Sequence, residues 1–183
     1  MKPTMKKLTC LFVFAFSICS IGFSQASNSS YSSSSYNSAI GIRLGTGYFD
    51  LVSASFKTFL NSSPGALELN LGIKQDNYIY DAYYDTRSEF SVSFAASYQY
   101  HFDITSVLGL RWFVGGGAII SSTSHYGFGM GLFPVGGVDY KFSNIPLNLS
   151  ADIRPVFAVV NPYSDHYNSI YPDFGVSARF TFK

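Results

Sequence analysis

Residues 88–102 read SEFSVSFAASYQYHF and alternate without a break. Phe90, Val92, Phe94, Ala96, Tyr98, Tyr100 and Phe102 fall on one face, and Glu89, Ser91, Ser93, Ala95, Ser97, Gln99 and His101 on the other. A period of two sustained over this length specifies one long, two-faced β-strand. It outruns the usual globular strand of about five or six residues. It also ends in Tyr and Phe, which favour a membrane-water boundary, so the stretch points to a membrane β-barrel.

Seven further segments carry the same alternation. Upstream, Ile40, Ile42 and Leu44 oppose Gly41, Arg43 and Gly45; Val52, Ala54 and Phe56 oppose Ser53, Ser55 and Lys57; Leu67, Leu69, Leu71 and Ile73 oppose Glu68, Asn70, Gly72 and Lys74. Downstream, Leu110, Trp112, Val114 and Ile120 oppose Arg111, Phe113 and Ile119, while Leu132, Val138, Tyr140 and Phe142 oppose Val135, Asp139 and Lys141. Leu147, Leu149, Ala151, Ile153 and Phe157 oppose Asn148, Ser150, Asp152 and Arg154, and Phe174, Val176, Ala178, Phe180 and Phe182 close the chain against Gly175, Ser177, Arg179 and Thr181. Eight strands result, the even number that bacterial outer-membrane barrels require. The joins alternate too: 61–65, 103–109 and 143–146 are short, whereas 75–87, 121–129 and 161–172 are long. With the N-terminus periplasmic, these read as periplasmic turns and external loops, the short join at 47–50 being the exception.

Lys2, Lys6 and Lys7 precede an apolar run over 8–23, and the small residues Ser24 and Ala26 follow it. This pattern reads as a signal peptide over residues 1–26, cleaved after Ala26 or after Ser24. Residues 27–38, almost wholly Ser, Asn and Tyr, read as a flexible leader, and 39–183 as the barrel domain. Cys10 and Cys19 both lie within the signal, so the exported chain forms no disulfide; Phe16, Ser17 and Ile18 ahead of Cys19 do not make a lipidation site. Charged residues are 13% of the chain, and the net charge of +1 offers no basic stripe for nucleic acid. Beyond the signal no apolar run approaches the roughly 18 residues of a transmembrane helix. Entry into a membrane therefore requires a closed barrel, which leaves no unpaired strand edge in lipid.

Alternation alone does not say which face is outside. An eight-stranded barrel has an interior just wide enough for side chains, and the Phe, Leu, Ile, Tyr and Trp face would overfill it. The Gly, Ser and Ala face fits. Arg43, Lys57, Glu68, Glu89, Arg111, Asp139, Lys141, Asp152, Arg154 and Arg179 then point inward. Buried charges must pair, so six basic and four acidic groups predict a salt-bridged plug; a conducting pore is the alternative.

Ser164, Asp165 and His166 adjoin one another, as do Ser124 and His125. A catalytic triad is defined by spatial geometry rather than adjacency, and these groups read as polar loop. Three scattered histidines give no zinc-type spacing. No enzyme activity, metal or cofactor is expected. Tyr80, Tyr83, Tyr84, Tyr126, Tyr163 and Tyr167 fall in the expected external loops, where rigid amphipathic rings suit contact with an extracellular protein or glycan or with lipid headgroups.

Several stretches carry a family resemblance: AIGIRLG at 39–45, FKTFL at 56–60, ALEL at 66–69, RWFVGGG at 111–117, and above all DYKF at 139–142 followed by IPLNLS at 145–150. Over residues 39–183 the chain resembles the small bacterial outer-membrane β-barrels, the porin-family or outer-membrane-protein barrel domain akin to the membrane domain of outer membrane protein A. The resemblance implies an all-β fold, an eight-stranded antiparallel up-and-down transmembrane barrel, monomeric, surrounded by outer-membrane lipid and assembled by the barrel insertion machinery. A structural or surface-interaction role follows, with a narrow porin-like channel as alternative and an outer-leaflet lipid-modifying enzyme behind it. One departure is the terminus, where Lys183 follows the aromatic Phe182.

Overall fold

The computed structural model describes residues 36–60, 64–80, 85–124, 127–161 and 170–182, with the backbone alone at 76–80 and 85–89. Ten strand segments occur among them: β1 (Ser38–Gly45), β2 (Val52–Phe59), β3 (Gly65–Tyr80), β4 (Asp85–Asp103), β5 (Leu110–Thr123), β6 (Gly127–Lys141), β7 (Leu147–Ile153), β8 (Val156–Val160), β9 (Ile170–Tyr171) and β10 (Phe174–Phe182). All pairings are antiparallel, and β1 pairs with β10 while β5 pairs with β6, so the sheet closes on itself. β7 and β8 form one stave along β6, interrupted at Arg154 and Pro155. β9 and β10 likewise form the last stave, interrupted at Pro172 and Asp173. The barrel therefore has eight staves.

Both interruptions hold a proline, which has no N–H to give to a ladder. They face each other, and the ladder survives them: Arg154 N donates to Asp173 O at 2.7 Å and Asp173 N to Arg154 O at 3.1 Å. Burial alternates along the staves as the sequence requires. On β4, Ser91, Ser93, Ala95, Ser97, Gln99 and His101 are buried, while Phe90, Val92, Phe94 and Tyr98 are exposed. Exposed Ile42, Leu71, Leu132, Leu149 and Val176 continue this apolar outer surface round the barrel.

The barrel has two ends. At the end where the chain enters, here the turn end, the joins are 60–64, 104–109 and 142–146. The opposite loop end corrects the sequence reading: residues 75–80 and 85–87, expected as loop, extend β3 and β4 with register maintained to Tyr80↔Asp85. Residues 121–123 and 127–129 similarly extend β5 and β6, and Ile170 and Tyr171 pair with Phe157 and Val156. Low apolar content marked these segments as loop, yet pairing satisfies the backbone groups that face the partner strand, the outward ones are left to water, and Tyr and Thr favour extended structure.

The short join at 46–51 holds the second correction. Instead of a plain turn, it folds inward: Phe49 and Asp50 are each 3% exposed. Phe49 packs with Ala95, Phe113, Ile119, Phe133, Val135 and Val156 in an apolar cluster within the barrel. Tyr36 is buried with Ala39, Phe59 and Ala66 at the turn end, so the barrel's packing begins before the 38/39 boundary of the sequence reading.

Candidate functional site

Three layers fill the barrel along its axis. At the turn end, the Tyr36 hydroxyl donates to Asp139 at 3.2 Å and its ring meets Phe59 edge-on at 5.2 Å between centroids. The Arg111 guanidinium lies 5.1 Å from the Phe59 ring and 5.9 Å from that of Tyr36. Burial pushes the Tyr36 phenol well above its ordinary pKa, and the Asp139 carboxylate adds to the effect, so the hydroxyl stays a donor.

Glu68 organises the middle layer. Its Oε1 accepts from Arg154 at 2.6 Å and from Asn70 at 3.0 Å, and its Oε2 accepts from Gln99 at 3.0 Å and stands 3.0 Å from Arg179 Nη2. Lys57 Nζ stands 3.9 Å from both Glu68 and Asp139, linking this layer to the turn end. Arg179 also donates to Ser55, Ser150 and Ser177, tying three staves together. Asn148 donates to Asp139, and His101 Nε2 lies 3.8 Å from the same carboxylate.

At the loop end the lumen divides. One side is the apolar cluster that holds Phe49; the other is centred on Arg43, whose Nη2 lies 2.8 Å from both Asp152 and Asp173 and whose Nη1 lies 3.7 Å from Asp50. Arg154 Nε, 2.7 Å from Asp152, connects this group to Glu68. Glycines make the room: a Cβ at Gly45 would stand 2.6 Å from Arg43 Nη1, and one at Gly175 would meet the same guanidinium. An isolated buried charge costs several kcal/mol in such surroundings, and here each side chain of the network has an opposite charge within 4 Å.

The structure thus places Arg43, Lys57, Glu68, Arg111, Asp139, Asp152, Arg154 and Arg179 inside the barrel. Lys141 is only partly buried and sits apart: its ammonium donates to Phe142 O and to Ile145 O, bracing the turn between β6 and β7. The Glu89 backbone lies opposite Asp76, and its side chain falls outside the described residues. So do the side chain of Tyr80 and all of Tyr83, Tyr84, Tyr126, Tyr163 and Tyr167, together with His125, Ser164, Asp165 and His166.

Sequence reasoning missed Asp50 and Asp173, each 3% exposed. Neither lies on a strand, so no alternation assigns it a face. Their effect is on the balance of charge. Among the described residues, five buried cations (Arg43, Lys57, Arg111, Arg154 and Arg179) meet five buried carboxylates (Asp50, Glu68, Asp139, Asp152 and Asp173). In place of the expected excess of base, these buried charges balance, with half-buried Lys74 against Tyr48 O and the partly exposed Asp103 beside Arg111 at the edges of the network.

No protein-family model matches the chain, and neither does any curated protein. Among solved structures, it is similar to the N-terminal β-barrel domain of Pseudomonas aeruginosa OprF, with 20% identity, a TM-score of 0.53, and coverage of 80% of this chain and 98% of that one. Neisserial surface protein A aligns at 15% identity and a TM-score of 0.40, over 80% of this chain and 95% of the other. The first likeness establishes a shared fold, the closed eight-stranded antiparallel barrel.

Proposed function

We propose that this chain is an exported outer-membrane barrel whose lumen is closed by a neutral charge network, serving as a structural or surface-interaction protein rather than as an enzyme. The carrying observation is the pairing of an apolar outer surface with a charged interior, the reverse of a soluble ligand-binding barrel. Outward-facing aromatics pair at the turn end, where half-buried Phe102 stacks on exposed Trp112 at 4.2 Å and lies 4.9 Å from Tyr100, and Tyr140 meets Phe142 at 4.7 Å, while Phe90, Phe128 and Phe174 are exposed toward the loop end. Such girdles mark the lipid-water boundary of membrane barrels. From Phe102 to Phe90 along β4, twelve steps of about 3.3 Å give roughly 40 Å of strand. At a tilt of roughly 40° this projects to about 30 Å, enough for an apolar band of about 25 Å.

The alternative of a narrow channel draws support from one observation. Buried Asn70 Oδ1, Ser93 Oγ, Gln99 Oε1 and Ser121 Oγ, on the adjacent staves β3, β4 and β5, have no hydrogen-bond partner among the described residues. Buried polar atoms of this kind are ordinarily met by water. Planar-bilayer recording separates the two readings. The closed lumen gives no steady unitary current in molar potassium chloride, whereas regular current steps scaling with protein added would replace it by the channel.

A further inference from the structure

The join at 46–51 sets two adjacent side chains of opposite character into one part of the lumen. Phe49 fills the apolar wall formed by Phe113, Ile119, Phe133, Val135 and Val156. Asp50 turns the other way, accepting from Ser53 Oγ at 2.7 Å and facing Arg43 Nη1 at 3.7 Å. That Nη1 belongs to a fully buried side chain and has no hydrogen-bond partner among the described residues. The wall is shaped for Asp50: a Cβ at Gly72 would stand 2.6 Å from the Asp50 Cβ. The backbone of the join is fastened at its two ends, by Gly45 N to Leu51 O at 2.9 Å, Thr46 N to Phe174 O at 2.9 Å and Leu51 N to Ile73 O at 3.2 Å. At Tyr48 it is also braced by Lys74 Nζ, which donates to Tyr48 O at 3.1 Å, and by the Tyr48 ring stacked on Tyr171 at 4.1 Å, while Phe49 and Asp50 add what their side chains touch.

We infer that the loop-end half of the lumen is a binding site for an amphipathic carboxylate, an aromatic or alkyl group joined to a carboxylate, which Phe49 and Asp50 occupy as a built-in ligand. The apolar wall takes the ring or chain. Arg43 takes the carboxylate through the Nη1 hydrogens that Asp50 approaches without a hydrogen bond, since planar guanidinium–carboxylate pairing is the geometry arginine favours. A tethered occupant competes at an effective concentration of about millimolar, so an external ligand enters only when the join swings out. This rests on the reading of the lumen as a closed membrane-barrel interior and adds the class of molecule it accepts.

The test uses the full chain folded in lipid vesicles, with 3-phenylpropionate and its neutral analogue 3-phenylpropanol as probes and thermal unfolding as the readout, because a ligand selective for the folded state raises the melting temperature saturably. Folding of each variant in vesicles is scored first by heat-modifiable migration, which reports on the membrane-barrel reading alone. F49A/D50A vacates both subsites and should prefer the carboxylate over the alcohol by about tenfold or more, as a charge-assisted hydrogen bond implies. F49A keeps the Asp50 carboxylate and should reverse that preference. It also serves as the independent arm if the double variant does not fold. Wild type should show no saturable shift at millimolar probe. Equal shifts from both probes, a shift of the same size in wild type, or no saturable shift in folded variants would overturn the site while leaving the barrel reading intact.

Discussion

Glu68→Gln is expected to remove about 3–5 kcal/mol of stability, the usual cost of breaking a buried ion pair by deleting one partner. The size follows from position. Glu68 is 1% exposed and lies within 4 Å of Arg154, Arg179 and Lys57, so the substitution leaves three cations sharing one fewer carboxylate in a lumen that is otherwise balanced. The new amide also turns a donor toward groups that already donate, Gln99 and Asn70 among them. Urea unfolding in lipid vesicles, followed by the fluorescence of Trp112, the chain's one tryptophan, measures the loss. Removing a cation as well, in Glu68→Gln/Arg179→Gln, should recover part of it, with a coupling of about 0.5–3 kcal/mol in the double-mutant cycle. Additive losses would mean that the two side chains do not act as a pair.

Ala118→Arg should cost about 2–4 kcal/mol, whereas Ser122→Arg on the same stave should cost about 0–1 kcal/mol, because the penalty for a cation on the lipid face falls with distance from the bilayer midplane. Both residues face outward on β5. Ala118 lies between Ala96 and Leu132, midway along the stave, and Ser122 lies between Val92 and Phe128 near the loop end. Neither substitution deletes a large side chain, so depth is the variable that separates them. In water both would be surface changes within about 0.5 kcal/mol of neutral. Equal and small effects in vesicle-folded protein would therefore count against a lipid-facing belt.

How much of this was legible without coordinates depended on whether a residue sits within a repeating pattern. Phe90 through Phe102 alternate so regularly that a strand with two unlike faces follows from the period alone, and the narrow interior of an eight-stranded barrel then placed Arg43, Glu68, Asp152 and Arg179 inside. Pattern gave out at the ends of staves. Gln75 to Tyr80 and Asp85 to Arg87 have too few apolar residues to announce a strand, and it is pairing with each other that extends them. Lys141 has the parity of a lumen residue, yet at the last position of β6 its long side chain reaches the carbonyls of the following turn.

Phe49, Asp50 and Asp173 were harder still, because each lies in a join or an interruption, where no period applies. One signal was available: six bases against four acids in a space too narrow for unpaired charge calls for more carboxylates. Asp50 and Asp173 are two of the seven acidic residues left once those four are taken from the chain's 11. Nothing comparable marked Phe49, whose inward turn depends on the apolar wall that Phe113, Ile119 and Phe133 assemble from separate staves.

The most direct test of a lipid-facing belt around a filled lumen is a nitroxide scan of β4 in lipid vesicles, reading collision rates with oxygen, which partitions into lipid, and with a water-soluble nickel chelate. Labels at Phe94, Ala96 and Tyr98 should be reached by oxygen and not by nickel, with nickel access rising toward Phe90 and Phe102 at the two boundaries, while labels at Ser91, Ser93, Ser97 and His101 should be reached by neither, a period of two along the strand. Nickel access at the Ser91, Ser93 and Ser97 positions would mean an open aqueous lumen, and nickel access at the Phe94 and Tyr98 positions would mean a barrel that does not lie in lipid; either result would contradict the account.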